Sequence, residues 1–318
     1  MYHSTEYHNE FWNAMKGKST ERNKIDSGRD RQKNSYRLPH KSDKKFAAAR
    51  KKENIFRQIA TVISAPGDAT VWTFDNETVA AWLNRTNPKF FENIAAYDKL
   101  AMRTCELGSA ILLPEDLAAD AEFDVEAYVT AEFAKCIGRT EEDAFINGTG
   151  EDKPCGFVQD ALVGVYTKEI TYDDVIKLYF SQDKEYRRNG VWMMSDETAL
   201  KLRTLKDADG NYLWNQHDNT ILGKPVYISE YMPAEQAGAR PLAFGDFSYY
   251  WIGECMPFVM RRLNEIFMIS PQIGFLGYEF LDAKLVRPEA IRVLEITELK
   301  STSSAIVMVA EGYLLLIC

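Results

Sequence analysis

The chain of 318 residues is long enough to bury a large core, as one elaborate domain or as two to three smaller ones. Its apolar share of 46% and charged share of 27% are those of an ordinary soluble globular protein and exclude a chain that is disordered or membrane-embedded throughout. The net charge of −9 is uneven: residues 1–57 hold 15 Lys and Arg against 7 Asp and Glu, a net of +8, which leaves −17 on the rest.

The first residues place Tyr7, Phe11 and Met15 at helical spacing beside Trp12. That spacing predicts a short amphipathic helix docking on something apolar, with Tyr7, Phe11 and Trp12 as inter-subunit contacts. After Gly17 the run is polar and basic, with few aliphatic anchors, and is expected to stay disordered unless a neighbouring subunit orders it. Within this basic arm, 1–57, Lys41, Lys44, Lys45, Arg50, Lys51 and Lys52 are dense enough to neutralise phosphates without reading sequence. Contact with the acidic body of an adjacent copy fits the same charges equally well.

From Glu53 the chain turns apolar as far as Pro66-Gly67, and Thr70–Phe74 then alternates at strand period before a turn at Asp75-Asn76. Trp72, Phe74, Trp82 and Phe90 sit on what reads as an extended two-stranded arm. Such an arm cannot bury those rings alone, so it must lie on other protein. Strand material leads from there to Pro114 and the acidic residues Glu115, Asp116, Asp120, Glu122 and Asp124, which favour a helix start. Val125, Val129, Phe133, Ile137, Ala144 and Phe145 recur at helical spacing, predicting one long helix over about 115–147 that stops at Asn147-Gly148-Thr149-Gly150. Beyond it, residues from Tyr172 and from Asp196 read as shorter helices, the first capped by Thr171, among strand-rich segments. Helices mixed irregularly with antiparallel strands indicate an α+β fold.

Signatures of catalysis are sparse. The GTGEDKPCG segment ends a helix where a phosphate loop opens one, and no Gly-Lys-Ser/Thr follows. The Asp207–Asn211 stretch places its glycine too early for a calcium loop. The four histidines assemble no metal set by spacing, and no base is placed beside any cysteine. Five unpaired-looking cysteines point to a reducing compartment, and the apolar tail 305–318 is too short for a membrane span. No cofactor, metal or membrane partner is expected. A hydrolase or nucleotide-binding enzyme using the acidic body is the reading from a different class.

The run from Asp98 to Phe157, with its Ala144-Phe145-Ile146-Asn147-Gly148-Thr149-Gly150 and Pro154-Cys155-Gly156 ending, resembles the central segment of tailed-phage major capsid proteins of the Hong Kong 97 type. The segments NIFRQIATVI, LKDADGNYLW, ILGKPVYISEYMP, FGDFSYYWI and DAKLVRPEAIRVLEI are similar too, so the resemblance covers about 53–296. It implies a self-assembling subunit of an icosahedral virion capsid, built of pentamers and hexamers around nonspecifically bound double-stranded DNA. Assembly in the host cytoplasm with portal and scaffolding proteins goes with it. It implies a peripheral domain over 98–165 and 263–318 with a spine helix, an axial domain over 166–262, an extended arm over 64–97 and an N-arm over 1–57. The alternative shell is an encapsulin-like compartment enclosing a cargo enzyme. Relatives often begin with a longer scaffolding segment, and some cross-link a lysine of the arm, where this chain has Lys89.

Overall fold

The computed structural model describes residues 3–18, 25, 28–30, 35–65, 67, 70–75, 96–120, 122–206, 210, 212, 214, 219–263 and 272–297. Trp82, Phe90, Lys89 and the tail 305–318 lie outside them. The chain divides into two compact units: Met1–Ala161 with Phe247–Pro288, and Leu162–Asp246 with the residues from Glu289 on.

In the first unit, α1 (Thr5–Met15), β1 (Arg29–Asp30), β2 (Ser35–Arg37), α2 (His40–Glu53), α3 (Phe56–Ile59) and β3 (Thr61–Ser64) precede a two-stranded ribbon of β4 (Thr70–Asp75) and β5 (Ala96–Ala101). Then come β6 (Cys105–Pro114), α4 (Glu115–Ala119), α5 (Val125–Asn147) and α6 (Phe157–Asp160). The later β12 (Tyr250–Leu263) and β13 (Gln272–Leu285) return to this unit in a sheet of order β1-β2-β12-β13-β6, with β3 parallel to β12. The β12–β13 ladder slips register on either side of Met256, next to Pro257, which has no N–H to give to a ladder.

The predicted helix over 115–147 is two helices. Asp120 ends α4, and Asp124 starts α5 by accepting the Ala127 N–H at 3.0 Å. Phe123 packs on Tyr128, ring centroids 5.5 Å apart, so the residues before and after the cap clamp the new start. The apolar stripe is as expected: Val125, Val129, Phe133, Ile137, Ala144 and Phe145 are all buried. At the far end of α5, Phe56, Phe145, Phe157, Phe247 and Tyr250 form an aromatic cluster with neighbouring centroids 5.1–5.9 Å apart.

The second unit holds β7 (Leu162–Thr167), α7 (Tyr172–Ser181), α8 (Lys184–Arg188), β8 (Val191–Met194), α9 (Asp196–Thr204), β9 (Thr220–Ile221), β10 (Lys224–Ile228), β11 (Leu242–Gly245) and β14 (Ile291–Ile296). Its sheet has the order β7-β14-β11-β8-β10-β9. Thr171 caps α7 in a reciprocal box with Asp174, and Val175, Leu178, Ala199 and Leu202 pack against Trp192, Phe244 and Leu294. These pairings correct the expected domain limits of 166–262 and 263–318. Residues 247–263 belong with β13, and 291–296 leave it to pair between β7 and β11. Hydrogen-bond partners, and not sequence proximity, decide where a strand belongs.

Candidate functional site

The strongest constellation of functional groups is a buried charge cluster. Burial of Phe46 sets the rotation of α2: Ser42, Phe46 and Arg50 lie on its buried face, and Lys41, Lys44, Lys45, Lys51 and Lys52 lie on its exposed one. Arg50 therefore reaches inward, where its guanidinium bonds Glu279 on β13 and Glu254 on β12, the latter at 2.9 Å. Arg57 on α3 bonds Glu254 and grips Glu141 of α5 through both ends of its fork, its Nε donating at 3.1 Å. Asn54 donates to Glu141 at 3.2 Å, and Glu142 accepts the Ile55 N–H at 2.8 Å.

Two guanidiniums face two deeply buried carboxylates, Glu141 and Glu279, and a third, Glu254, that is partly open to solvent. Burial foremost, and then the neighbouring Glu141, push the Glu279 carboxyl up to about 8 against the pull of Arg50. Burial also opposes the charge on Glu141, but Arg57 and Arg50 outweigh it and hold that carboxyl below its ordinary value. A proton on Glu279 Oε1, which has no other hydrogen-bond partner among the described residues, lets that carboxyl donate to Glu141.

A second clasp joins the start of α5 to both N-terminal helices. Glu126 receives Lys45 Nζ at 2.9 Å and Ser42 Oγ at 3.2 Å, and His8 Nε2 lies 3.0 Å from its other oxygen. Burial resists the charge on Glu126, but Lys45 and His8 prevail and keep its carboxyl below the usual range. Trp12 donates to Ser42 at 3.1 Å and Tyr7 to the Arg37 carbonyl at 2.6 Å.

These placements correct two expectations. Tyr7, Phe11 and Trp12 are buried in their own subunit's core, with Phe133, Phe258 and Phe275, and are not left for another subunit. The stretch from Ser35 is ordered as β2 and α2 on its own body, because Leu38 and Phe46 supply the anchors that the lysines mask. Arg50 leaves the set of exposed charged contacts, while Lys41, Lys44, Lys51 and Lys52 remain on the surface and Lys45 is shared with Glu126. The role of Arg57, Glu141, Glu254 and Glu279 was not singled out from the sequence. The one available signal was a glutamate pair, Glu141 and Glu142, on an otherwise apolar helix face.

The ribbon behaves differently. Antiparallel β4 and β5 pair with each other in a sheet of their own, and Trp72 is 50% exposed with the Lys99 ammonium 4.7 Å above its ring. Phe74 stands opposite Tyr97 in the ladder, but its side chain lies outside the described residues.

A model of the phage capsid family matches residues 34–296. The chain belongs to the phage capsid family. A major capsid protein of Klebsiella oxytoca phage phiKO2 is 26% identical over 179 residues, which are 50% of this chain and 41% of that protein. The chain thus spans about two fifths of the length of the curated relative it matches. Among solved structures, the capsid of a native GTA particle computed with C5 symmetry is similar with a TM-score of 0.63 at 28% identity, covering 76% of this chain and 90% of that one. A chain from Gordonia phage Cozz is similar with a TM-score of 0.57 at 13% identity, covering 78% and 87%, a likeness of fold alone. The fold of this capsid-family chain is therefore α+β of the Hong Kong 97 type, in keeping with a structural shell subunit. The family and these relatives are phage and GTA capsids, which disfavours the cargo-compartment alternative.

Within this capsid-family subunit, the glycine-rich ending of α5 is a backbone device. A Cβ on Gly148 would fall 1.9 Å from the Pro154 carbonyl oxygen, and one on Gly156 would fall 2.4 Å from that of Ile146. The chain reverses so tightly that only glycine fits at either position. Cys105 and Cys155 are both pushed up to about 11, chiefly by burial, which keeps them as thiols. Among the described residues no group of His, Cys, Asp and Glu is arranged to hold a metal, and no helix is long and apolar enough to cross a membrane.

Proposed function

We propose that copies of this chain close an icosahedral phage head, as pentamers and hexamers around packaged double-stranded DNA. The observation that carries this reading is the family match over 34–296, and the half-exposed Trp72 ring on the ribbon is compatible with it. On this reading α5 is the spine of a peripheral domain made by the first unit, the second unit is the axial domain, and the β4–β5 ribbon is the root of an arm lying across a neighbour. The lysine face of α2 is the contact to DNA, weak, nonspecific and salt-dependent. Portal and scaffolding proteins join the assembly in the host cytoplasm, and no catalytic step is involved.

Electron microscopy of the purified protein tests the central claim: closed shells are the expected result, and persistent monomers under assembly conditions overturn it. Changing Lys41, Lys44, Lys51 and Lys52 together to Gln is expected to leave shells intact while lowering DNA retention and its salt dependence. Unchanged retention assigns those lysines to the acidic surface of another copy.

A further inference from the structure

A cavity of about 330 Å³ opens between the starts of α1 and α2, lined by His3, Thr5 and His8 from the first segment and by Pro39, His40 and Lys41 from the second. That volume lies at the lower end of the range for small-ligand sites. Three imidazoles and one ammonium line it, and no carboxylate does among the described residues. His8 is a fixed wall: its Nε2 lies 3.0 Å from Glu126 and its Nδ1 3.4 Å from Asn9 Oδ1, so both ring nitrogens are engaged. His3 and His40 meet each other instead, ring edge to ring face, with centroids 4.3 Å apart. Two imidazoles in contact resist being protonated together.

The surrounding charges leave the cavity positive. Desolvation foremost, and then the cations His40, the chain's amino terminus, Arg37 and Lys44, hold the His3 imidazole below its ordinary value. The nearby carboxylates are engaged elsewhere. Burial foremost, with Glu254, holds the Asp43 carboxyl above its ordinary value against the pull of Arg37, Arg50 and His40. Glu126 is bound by Lys45, Ser42 and His8. Pro39, the residue that caps α2, offers no side-chain acceptor to the first amides of that helix, which adds donors at the same wall. A site with this many donors and no counter-charge suits an anion, and the imidazoles are not arranged to hold a metal. A carboxylate brings two oxygens to such donors; a phosphate group brings three and up to two negative charges.

We infer that the cavity between the starts of α1 and α2 binds a phosphate group through His3, His40 and Lys41, with His8 as its fixed wall. The group belongs either to a DNA backbone or to a free phosphate compound, since both present the same oxygens. Binding draws protons onto His3 and His40, because the anion removes the repulsion that keeps the pair from charging together. The inference goes beyond the shell reading and does not depend on it.

The test titrates inorganic phosphate into the full chain by calorimetry, with ionic strength held constant by chloride. Saturable binding is expected at about pH 6 and is expected to be about tenfold weaker at about pH 8, where imidazoles are neutral. His40→Gln and Lys41→Gln are each expected to weaken it about tenfold. Lys184→Gln, which removes the same charge from an exposed position of the second unit, leaves it unchanged. Ring-proton NMR gives a second readout: the His3 and His40 signals titrate at higher pH with phosphate present, which a purely structural pair would not do. A short DNA duplex separates the sources, because displacement of phosphate assigns the site to a DNA backbone and persistence assigns it to a free phosphate; both results support the site. No saturable binding at about pH 6, or binding that neither variant weakens, overturns the inference. The shell reading is then untouched, since it is tested separately by microscopy.

Discussion

Helix α2 and the β4–β5 ribbon are both short elements leading out of the main body, and they differ in what lies against them. Helix α2 has one buried face, where Phe46 stacks on Phe258 at 4.4 Å and Arg50 enters the charge cluster. The ribbon pairs with itself among the described strands and leaves Trp72 half exposed. A helix with one apolar stripe needs only one surface to cover it, whereas a two-stranded ribbon has two faces and no layer of its own. Helices α1 and α2 are thus part of the subunit, and on the proposed reading the ribbon is the element that lies on a neighbouring copy.

The largest way to break that contrast is to remove Arg57. Arg57→Ala leaves Glu141 buried without its main partner and is expected to lower subunit stability by about 3–5 kcal/mol, read by chemical denaturation. A loss below about 1 kcal/mol would show that the cluster does not hold the N-terminal segment. Next, Phe11→Ala is expected to cost about 3 kcal/mol as a core truncation. If α1 instead docks on a neighbouring copy, the isolated subunit keeps its stability and the effect appears in assembly.

The third test concerns protons. The Glu279 carboxyl is raised in the fold to about 8, so its contribution is full below its ordinary range near 4.5 and is lost as pH rises toward 8. Glu141 is shifted the other way: its contribution is present above the ordinary range and is lost as pH falls toward its lowered value. Glu279→Gln keeps a donor toward Glu141 and an acceptor for Arg50. It is expected to flatten the decline between about pH 4.5 and 8 while leaving the acid limb unchanged. A decline of unaltered slope in melting experiments would place the proton elsewhere. The smallest effect on the subunit belongs to the ribbon: Trp72→Ser should change its stability by no more than about 0.5 kcal/mol and still reduce shell formation. A large stability loss would mean the ring is covered by its own subunit.

Much of this architecture was legible residue by residue. The stripe from Val125 to Phe145, the Thr171 cap and the alternation of Thr70–Phe74 are local patterns, and local patterns follow from backbone geometry alone. The split at Asp120–Asp124 was harder to read, because acidic residues favour the start of a helix whether it begins at Glu115 or at Val125. In the stretch from Ser35 the lysines outnumber the anchors. Leu38 and one helix face with Phe46 and Arg50 are enough to order it, and counting charge says nothing about which face they share.

The sequence by itself determined the family, the α+β class and the positions of the long helix, its glycine-bound end and the ribbon, since each depends on residues near one another in the chain. The tertiary structure alone decided that Arg50 and Arg57 meet Glu141, Glu254 and Glu279, which lie 84 to 229 residues away in the bonded pairs. It alone moved β12 into the first unit and β14 into the second, because long-range pairing is set by which edges and partners the folded chain offers. The same logic separates the two N-terminal outcomes: a charge is an arm in sequence until the fold brings its counter-charge within reach.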